Sequence, residues 1–287
     1  MTDDTLTSMG AFPDFIGIGA MRCGTTWISD KLRSHPDIFI PPHFKELHFF
    51  DRYYDKGSDW YRAHFSDKTE HQISGEFTPA YIRDAQALEL ISQTCPQAKL
   101  IISIRNPVER AFSHYNFLKK RENISDSFYD ALFDDRYEML KAGLYGEQIE
   151  NCLKYFSRDR IHIIIFDEIE ASPEQVLLDL FEFLEVDKQH QPDMLTEKVN
   201  ARHGLKSKTF ARGLRNIKNM LRPHTSSSQG PIGQGLHKFG KILNKMNATQ
   251  VTHEAMDPRA GEYLMKYYKD DLLVLNRLID GKASHWV

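Results

Sequence analysis

Residues 17–27 read GIGAMRCGTTW, and the fold turns on this stretch. From Gly19 it follows the spacing G-x-x-x-x-G-K-[ST], with Thr25 standing where the lysine belongs. In such a loop, successive backbone N–H groups at the start of a helix hold phosphate oxygens. The absent lysine is the residue that serves the terminal phosphates of ATP, so its loss argues against a kinase acting on a magnesium nucleotide. A single 5′-phosphate bearing some other group suits the loop better. Gly24 lets the backbone approach the ligand, Thr25 and Thr26 add hydroxyl donors, and Arg22 is the cation within the loop. The competing reading is an accidental turn of the same spacing.

The flanks favour the phosphate loop. The apolar run 15–19, bounded by Pro13, reads as a buried strand. After the loop, TTWISDKLRSHP places Ile28 and Leu32 four apart on a helix stopped at His35-Pro36. Further strands are expected at 38–40, 71–77, 99–104 and 161–166. Helices are expected at 58–65, at 84–94 with Ala87, Leu90 and Ile91 on one face, after Pro107, through 127–157, at 173–185 and at about 258–280. Strands alternating with helices give an α/β fold, a parallel sheet flanked by helices. Ligands then belong at the carboxyl ends of the strands, where the loop lies.

The 287 residues suit one large α/β domain or two small ones. The net charge of −3 gives no global field for nucleic acid. The charge is nonetheless uneven. Residues 198–253 hold eleven Lys/Arg and no acid, while the rest carries 26 bases against 40 acids. Cys23, Cys95 and Cys152 form no C-x-x-C pair, so neither a disulfide framework nor a zinc site is expected. Cys95 and Cys152 are expected in the core, with Cys23 the exception inside the loop. The acidic start MTDDTLTSMG lacks the apolar region of a signal peptide, and no apolar run approaches membrane-span length. A soluble, cytoplasmic protein is the expectation.

Three more segments carry candidate chemistry. In LIISIRNPVERAFSHY, Arg105 ends a strand and Ser113 follows on the next helix. The two can grip a second phosphate; alternatively Arg105 pairs with Glu109 and Ser113 faces solvent. In FKELHFFD, Glu46 and His48 are two apart, so an extended chain points both to one face as acid–base candidates. The alternative is a surface loop anchored by Phe49-Phe50. EFTPAY, residues 76–81, either lines the same cleft or is a structural turn.

Together these segments resemble the sulfotransferase family that uses 3′-phosphoadenosine-5′-phosphosulfate (PAPS), above all its carbohydrate branch, the heparan-sulfate-type enzymes and their soluble bacterial relatives. FIGIGAMRCGTTWISDKLRSHPDI resembles the family's 5′-phosphosulfate loop and helix. IRNPVERAFSHY resembles its 3′-phosphate motif, and KELHFFD the segment bearing the catalytic base. FTPAY and the terminal YYKDDLLVLNRLI also resemble family features. The likeness covers about 13–185 and 254–287. It implies the P-loop nucleotide-binding, sulfotransferase-like fold as one domain over 1–287, with a basic lid-like insertion at about 198–253.

By the same likeness, Arg22, Cys23, Gly24, Thr25, Thr26 and Trp27 form the 5′-phosphosulfate site. Arg105 and Ser113 take the 3′-phosphate, with Arg202, Lys206 and Lys208 as candidates to close over it. Glu46 takes the proton of the acceptor hydroxyl, His48 stands beside it, and Arg22 meets the charge; no metal is called for. The acceptor is a carbohydrate or a small metabolite, anionic or lipid-linked in some readings. Two positions depart from the pattern. Arg22 replaces the family's loop lysine, and Phe77 stands where heparan-type enzymes carry a lysine before Thr-Pro-Ala-Tyr. A P-loop small-molecule kinase and a non-catalytic module that binds PAP, the desulfated nucleotide, are the alternatives. For residues 209–245 three roles stay open: a lid, an amphipathic helix on anionic lipid, and a solvated helix.

Overall fold

A computed structural model describes residues 11–122, 124, 126–190, 203–205, 248–250 and 255–287. The chain divides into two compact units, Met1–Thr196 with Met256–Val287, and Glu197–Ala255. In the second unit the described residues form two antiparallel strands, β6 (His203–Leu205) and β7 (Ala248–Gln250).

The first unit is built on five parallel strands: β1 (Phe15–Gly19), β2 (Ile38–Phe39), β3 (Ile73–Phe77), β4 (Lys99–Ile104) and β5 (Ile161–Ile165), in the order β2-β3-β1-β4-β5. The order reverses at β1, which pairs with β3 on one side and β4 on the other. Such a switch point opens a crevice beyond the strand ends. The loop after β1, Thr78-Pro79 after β3 and Arg105 after β4 all leave from that crevice. β1 is buried along its whole length, as a strand covered by helices on both faces must be. Gly17 is required there, because a side chain at that position would run into the ring of Phe77.

Local chemistry sets the helix ends. α1 (Thr25–Arg33) starts at Gly24, whose φ of 86° favours glycine, and carries Lys31 and Arg33 in its last turn, where they suit the helix dipole. Ile28 and Leu32 are buried, as their spacing predicts. The short α2 (Phe49–Arg52) and α3 (Gly57–Ala63) follow β2. α4 (Ala85–Thr94) is capped by Asp84, whose carboxylate accepts the N–H groups of Gln86 and Ala87 at 3.0 and 3.1 Å. Its buried face is Ala87, Leu88 and Ile91; Leu90, expected on that face, is only partly buried. α5 (Pro107–Glu122) begins where Asn106 Oδ1 accepts the N–H of Val108 at 3.0 Å, with Pro107 in its first turn.

The continuous helix expected over 127–157 is broken. α6 (Phe128–Ala131) and α7 (Tyr145–Leu153) are separated by two short 3₁₀ turns, Asp135–Tyr137 and Lys141–Gly143. Glu138 has φ 46°, outside the helical range, and Gly143 lies directly against the ring of Tyr268. The start of α7 docks on the last helix, Pro258–Leu278: Asp271 accepts the N–H groups of Gly146 and Glu147, both at 2.9 Å. Tertiary contact there overrides helix propensity. α8 (Phe166–Ala171) and α9 (Pro173–Leu184) complete the unit.

Candidate active site

The loop after β1 is tied to β4. Ala20 N–H donates to the Ser103 carbonyl at 2.7 Å, and Ser103 Oγ donates to the Cys23 carbonyl. Gly24 then turns the chain into α1, whose first N–H groups have no partner within the helix, an arrangement that suits an anion site. The Cys23 side chain points away from that site. It is fully buried, its Sγ lies 3.5 Å from the Tyr145 hydroxyl, and burial pushes the thiol up. The expectation that Cys23 differs from the other cysteines is corrected: all three are free and buried. Trp27 is buried too, so neither side chain lies open to a ligand.

Arg22 reaches across to α5. Its Nε donates to Ser113 Oγ at 3.4 Å, and its guanidinium lies 4.8 Å from the centre of the Phe117 ring. Ser113 is buried, so the solvent-facing alternative does not hold. The two sites expected to serve different phosphates therefore meet in one contact. Arg105 does pair with Glu109, through Nε at 3.0 Å and Nη2 at 2.7 Å, and packs over the Phe166 ring at 4.6 Å. Glu109 is exposed in that pair, so a phosphate can compete for the guanidinium.

Glu46 and His48 come together, though not by the extended geometry expected. His48 has φ 53° and ψ 32° and caps α2. That left-handed turn brings its Nε2 to 3.2 Å from Glu46 Oε2. Its Nδ1 lies 2.9 Å from Asp51 Oδ2. Asp51 has no role in the sequence reading, although a carboxylate three residues after His48 on a helix start is the spacing that permits this contact. The hydrogen bond to His48 holds the Glu46 carboxyl below its usual range. His48 is raised, first by Glu46, with Asp51 adding to the effect against the opposing pull of burial.

Thr25, Thr26, Glu46, Phe77 and Pro79 line one cavity of about 280 Å³, beside the exposed ring of Phe44. The helix start and the carboxylate therefore share one chamber. Arg202, Lys206, Lys208 and the segment 209–245 lie outside the described residues.

A family model for the sulfotransferase domain matches residues 12–229. This chain belongs to the sulfotransferase family. Among its relatives, membrane-associated sulfotransferase kil1 of Dictyostelium discoideum is 27% identical over 265 residues, covering 61% of this chain and 56% of that protein. Human heparan sulfate glucosamine 3-O-sulfotransferase 3B1 is 34% identical over 169 residues, covering 56% and 43%. The chain spans about half the length of the curated relatives it matches. A sulfotransferase structure from Alicyclobacillus acidocaldarius shares the fold, with a TM-score of 0.71 at 24% identity over 96% of this chain and 99% of that one. The parallel sheet with a phosphate-type loop is thus the sulfotransferase fold.

Proposed function

We propose that this chain transfers a sulfuryl group from PAPS to a hydroxyl of a carbohydrate or small-metabolite acceptor, giving a sulfate ester and PAP. One observation carries the reading: Thr25 and Thr26 of the anion loop open onto the same cavity as Glu46. Family membership supports the donor, and a mouse family member with this fold was solved with PAP bound.

The residues present fit that donor. The amides of Gly24, Thr25 and Thr26 take the 5′-phosphate, with Arg22 beside them. Ser113 and Arg105 take the 3′-phosphate, Arg105 exchanging Glu109 for it. Glu46 accepts the hydroxyl proton as the acceptor oxygen bonds to sulfur. Arg22 meets the negative charge that grows on the bridging oxygen as its bond to sulfur breaks and PAP departs with the electron pair. His48 shares the proton with Glu46, and Asp51 fixes the ring by accepting Nδ1–H. Arginine stays charged throughout, so Arg22 stabilises charge without giving up a proton.

Phe77 makes part of the cavity wall apolar where heparan-type enzymes carry a cation. This favours an acceptor other than a heparan sulfate chain. The basic block at 198–253 supports capture of an anionic donor through its charge. Three buried free cysteines support a reducing, cytoplasmic compartment. No helix among the described residues is long and apolar enough to cross a membrane.

Calorimetric titration with PAP in EDTA tests the reading. Micromolar binding, about −8 kcal/mol, is expected. Absence of binding, with ATP-Mg stabilising the fold instead, overturns it in favour of a kinase.

A further inference from the structure

Glu76, near the end of β3, is 2% exposed. A carboxylate in such a place is costly unless hydrogen bonds satisfy it. Two hydroxyls do so. Thr78 Oγ1 donates to Glu76 Oε2 at 2.7 Å, and the Tyr61 hydroxyl donates to Oε1 at 3.3 Å. Tyr81, the third hydroxyl at this carboxylate, accepts the N–H of Phe50 at 3.4 Å.

The Thr78 contact has a directional consequence. A hydroxyl has one proton and two lone pairs. With its proton given to Glu76, Thr78 Oγ1 has both lone pairs for acceptance. It receives the backbone N–H groups of Leu47 and His48, at 3.2 and 3.3 Å. These amides belong to the segment that carries Glu46 and His48. His48 sits at φ 53°, a conformation that a non-glycine residue keeps only where its surroundings over-determine it. The Thr78 oxygen is one group that holds it.

We propose that Glu76 is a positioning residue for sulfuryl transfer: by taking the Thr78 proton it makes Thr78 Oγ1 a double acceptor that fixes the Leu47–His48 backbone, and with it the placement of Glu46 and His48 at the cavity. This rests on Glu46 being the base. An amide at position 76 would not serve. Turned toward Thr78, its NH₂ would donate to Oγ1 and occupy a lone pair that the Leu47 and His48 amides use; turned toward Tyr61, it leaves a neutral amide oxygen, a weaker acceptor than the carboxylate, to hold the Thr78 proton.

Thr78→Val and Thr78→Ser separate positioning from folding. Hydrogen exchange of the peptide spanning 44–52, PAP affinity and turnover with PAPS are measured on both variants, on Glu76→Gln and on the wild type. In Thr78→Val the amides of 47–50 are expected to exchange severalfold faster. Its kcat should fall about 10- to 100-fold, the scale for a misplaced catalytic group, with PAP affinity within about twofold. Thr78→Ser restores both protection and kcat, and Glu76→Gln behaves as Thr78→Val. Wild-type exchange at 47–50 in Thr78→Val, or equal losses in the Val and Ser variants, overturns the proposal. The exchange arm needs no turnover. A wild type that fails to bind PAP therefore refutes sulfuryl transfer, whereas unchanged exchange refutes the positioning.

Discussion

Nε2 of His48 lies 3.2 Å from Oε2 of Glu46, and a hydrogen bond across that gap needs one proton between them. Asp51 occupies the opposite side of the ring, 2.9 Å from Nδ1, so the imidazole stands between two carboxylates. Such a pair titrates as a unit rather than as two independent residues. With the proton present, the pair is already loaded. With it absent, Nδ1–H still points to Asp51, and Glu46 is free to take a proton from a hydroxyl.

Glu46→Gln removes the base and leaves the anion loop in place. Turnover with PAPS should fall about 10²- to 10⁴-fold, the usual contribution of a positioned general base. PAP affinity measured by calorimetry should stay within a few-fold. Full activity in the variant would remove Glu46 from the mechanism.

The pair also sets a pH dependence. The hydrogen bond to Glu46 and the Asp51 carboxylate raise His48 above its ordinary 6.5. The base form exists above that raised value, so kcat/KM should rise with pH and level off only past 6.5. Asp51→Asn removes one of the raising influences. The acid limb should move to lower pH, and the His48 ring, followed by NMR, should titrate lower with it. An unmoved limb would assign it to another group.

The phosphate loop was legible in the sequence because its chemistry is local. Spacing, a strand before it and a helix after it fixed Gly24, Thr25 and Thr26 at a helix start, and the structure has them there. The parallel sheet was legible for the same reason, from apolar runs alternating with helices. The contacts between segments were not. Nothing in the spacing of residues 22 and 113 brings Arg22 onto Ser113; only the packing of α5 beside the loop does. Glu46 and His48 were paired on the premise of an extended chain, whereas a left-handed residue makes the contact. The role of Glu76 depends on α3, β3 and the 46–50 segment meeting, which no single stretch encodes.

Gly24 gives a test of the loop itself. Its φ is 86°, and a Cβ there would lie 3.1 Å from Phe166 Cδ2. Gly24→Ala imposes a left-handed alanine and crowds the ring over which Arg105 packs. A stability loss of about 1–3 kcal/mol is expected from chemical denaturation. PAP affinity should fall as well, since the first amides of α1 shift. Wild-type affinity in a destabilised Gly24→Ala protein would mean that the donor phosphate does not rest on this helix start.

Glu76 ties stability to pH in the opposite sense from an ordinary salt-bridged carboxylate. Burial raises its carboxyl from 4.5 to about 7, with the hydroxyls of Thr78, Tyr81 and Tyr61 opposing the rise. Between those values the folded state binds more protons than the unfolded one, so stability falls as pH rises. The loss is complete once pH has passed through about 7. A shift of that size corresponds to about 3 kcal/mol. Denaturation of the wild type between pH 4.5 and 8 should therefore show a falling component that Glu76→Gln lacks. Turnover would run against stability, because the ionised carboxylate that weakens the fold is the form that takes the Thr78 proton. If Glu76→Gln keeps the wild-type pH slope, another buried acid is responsible and the carboxyl at 76 is ionised at no cost.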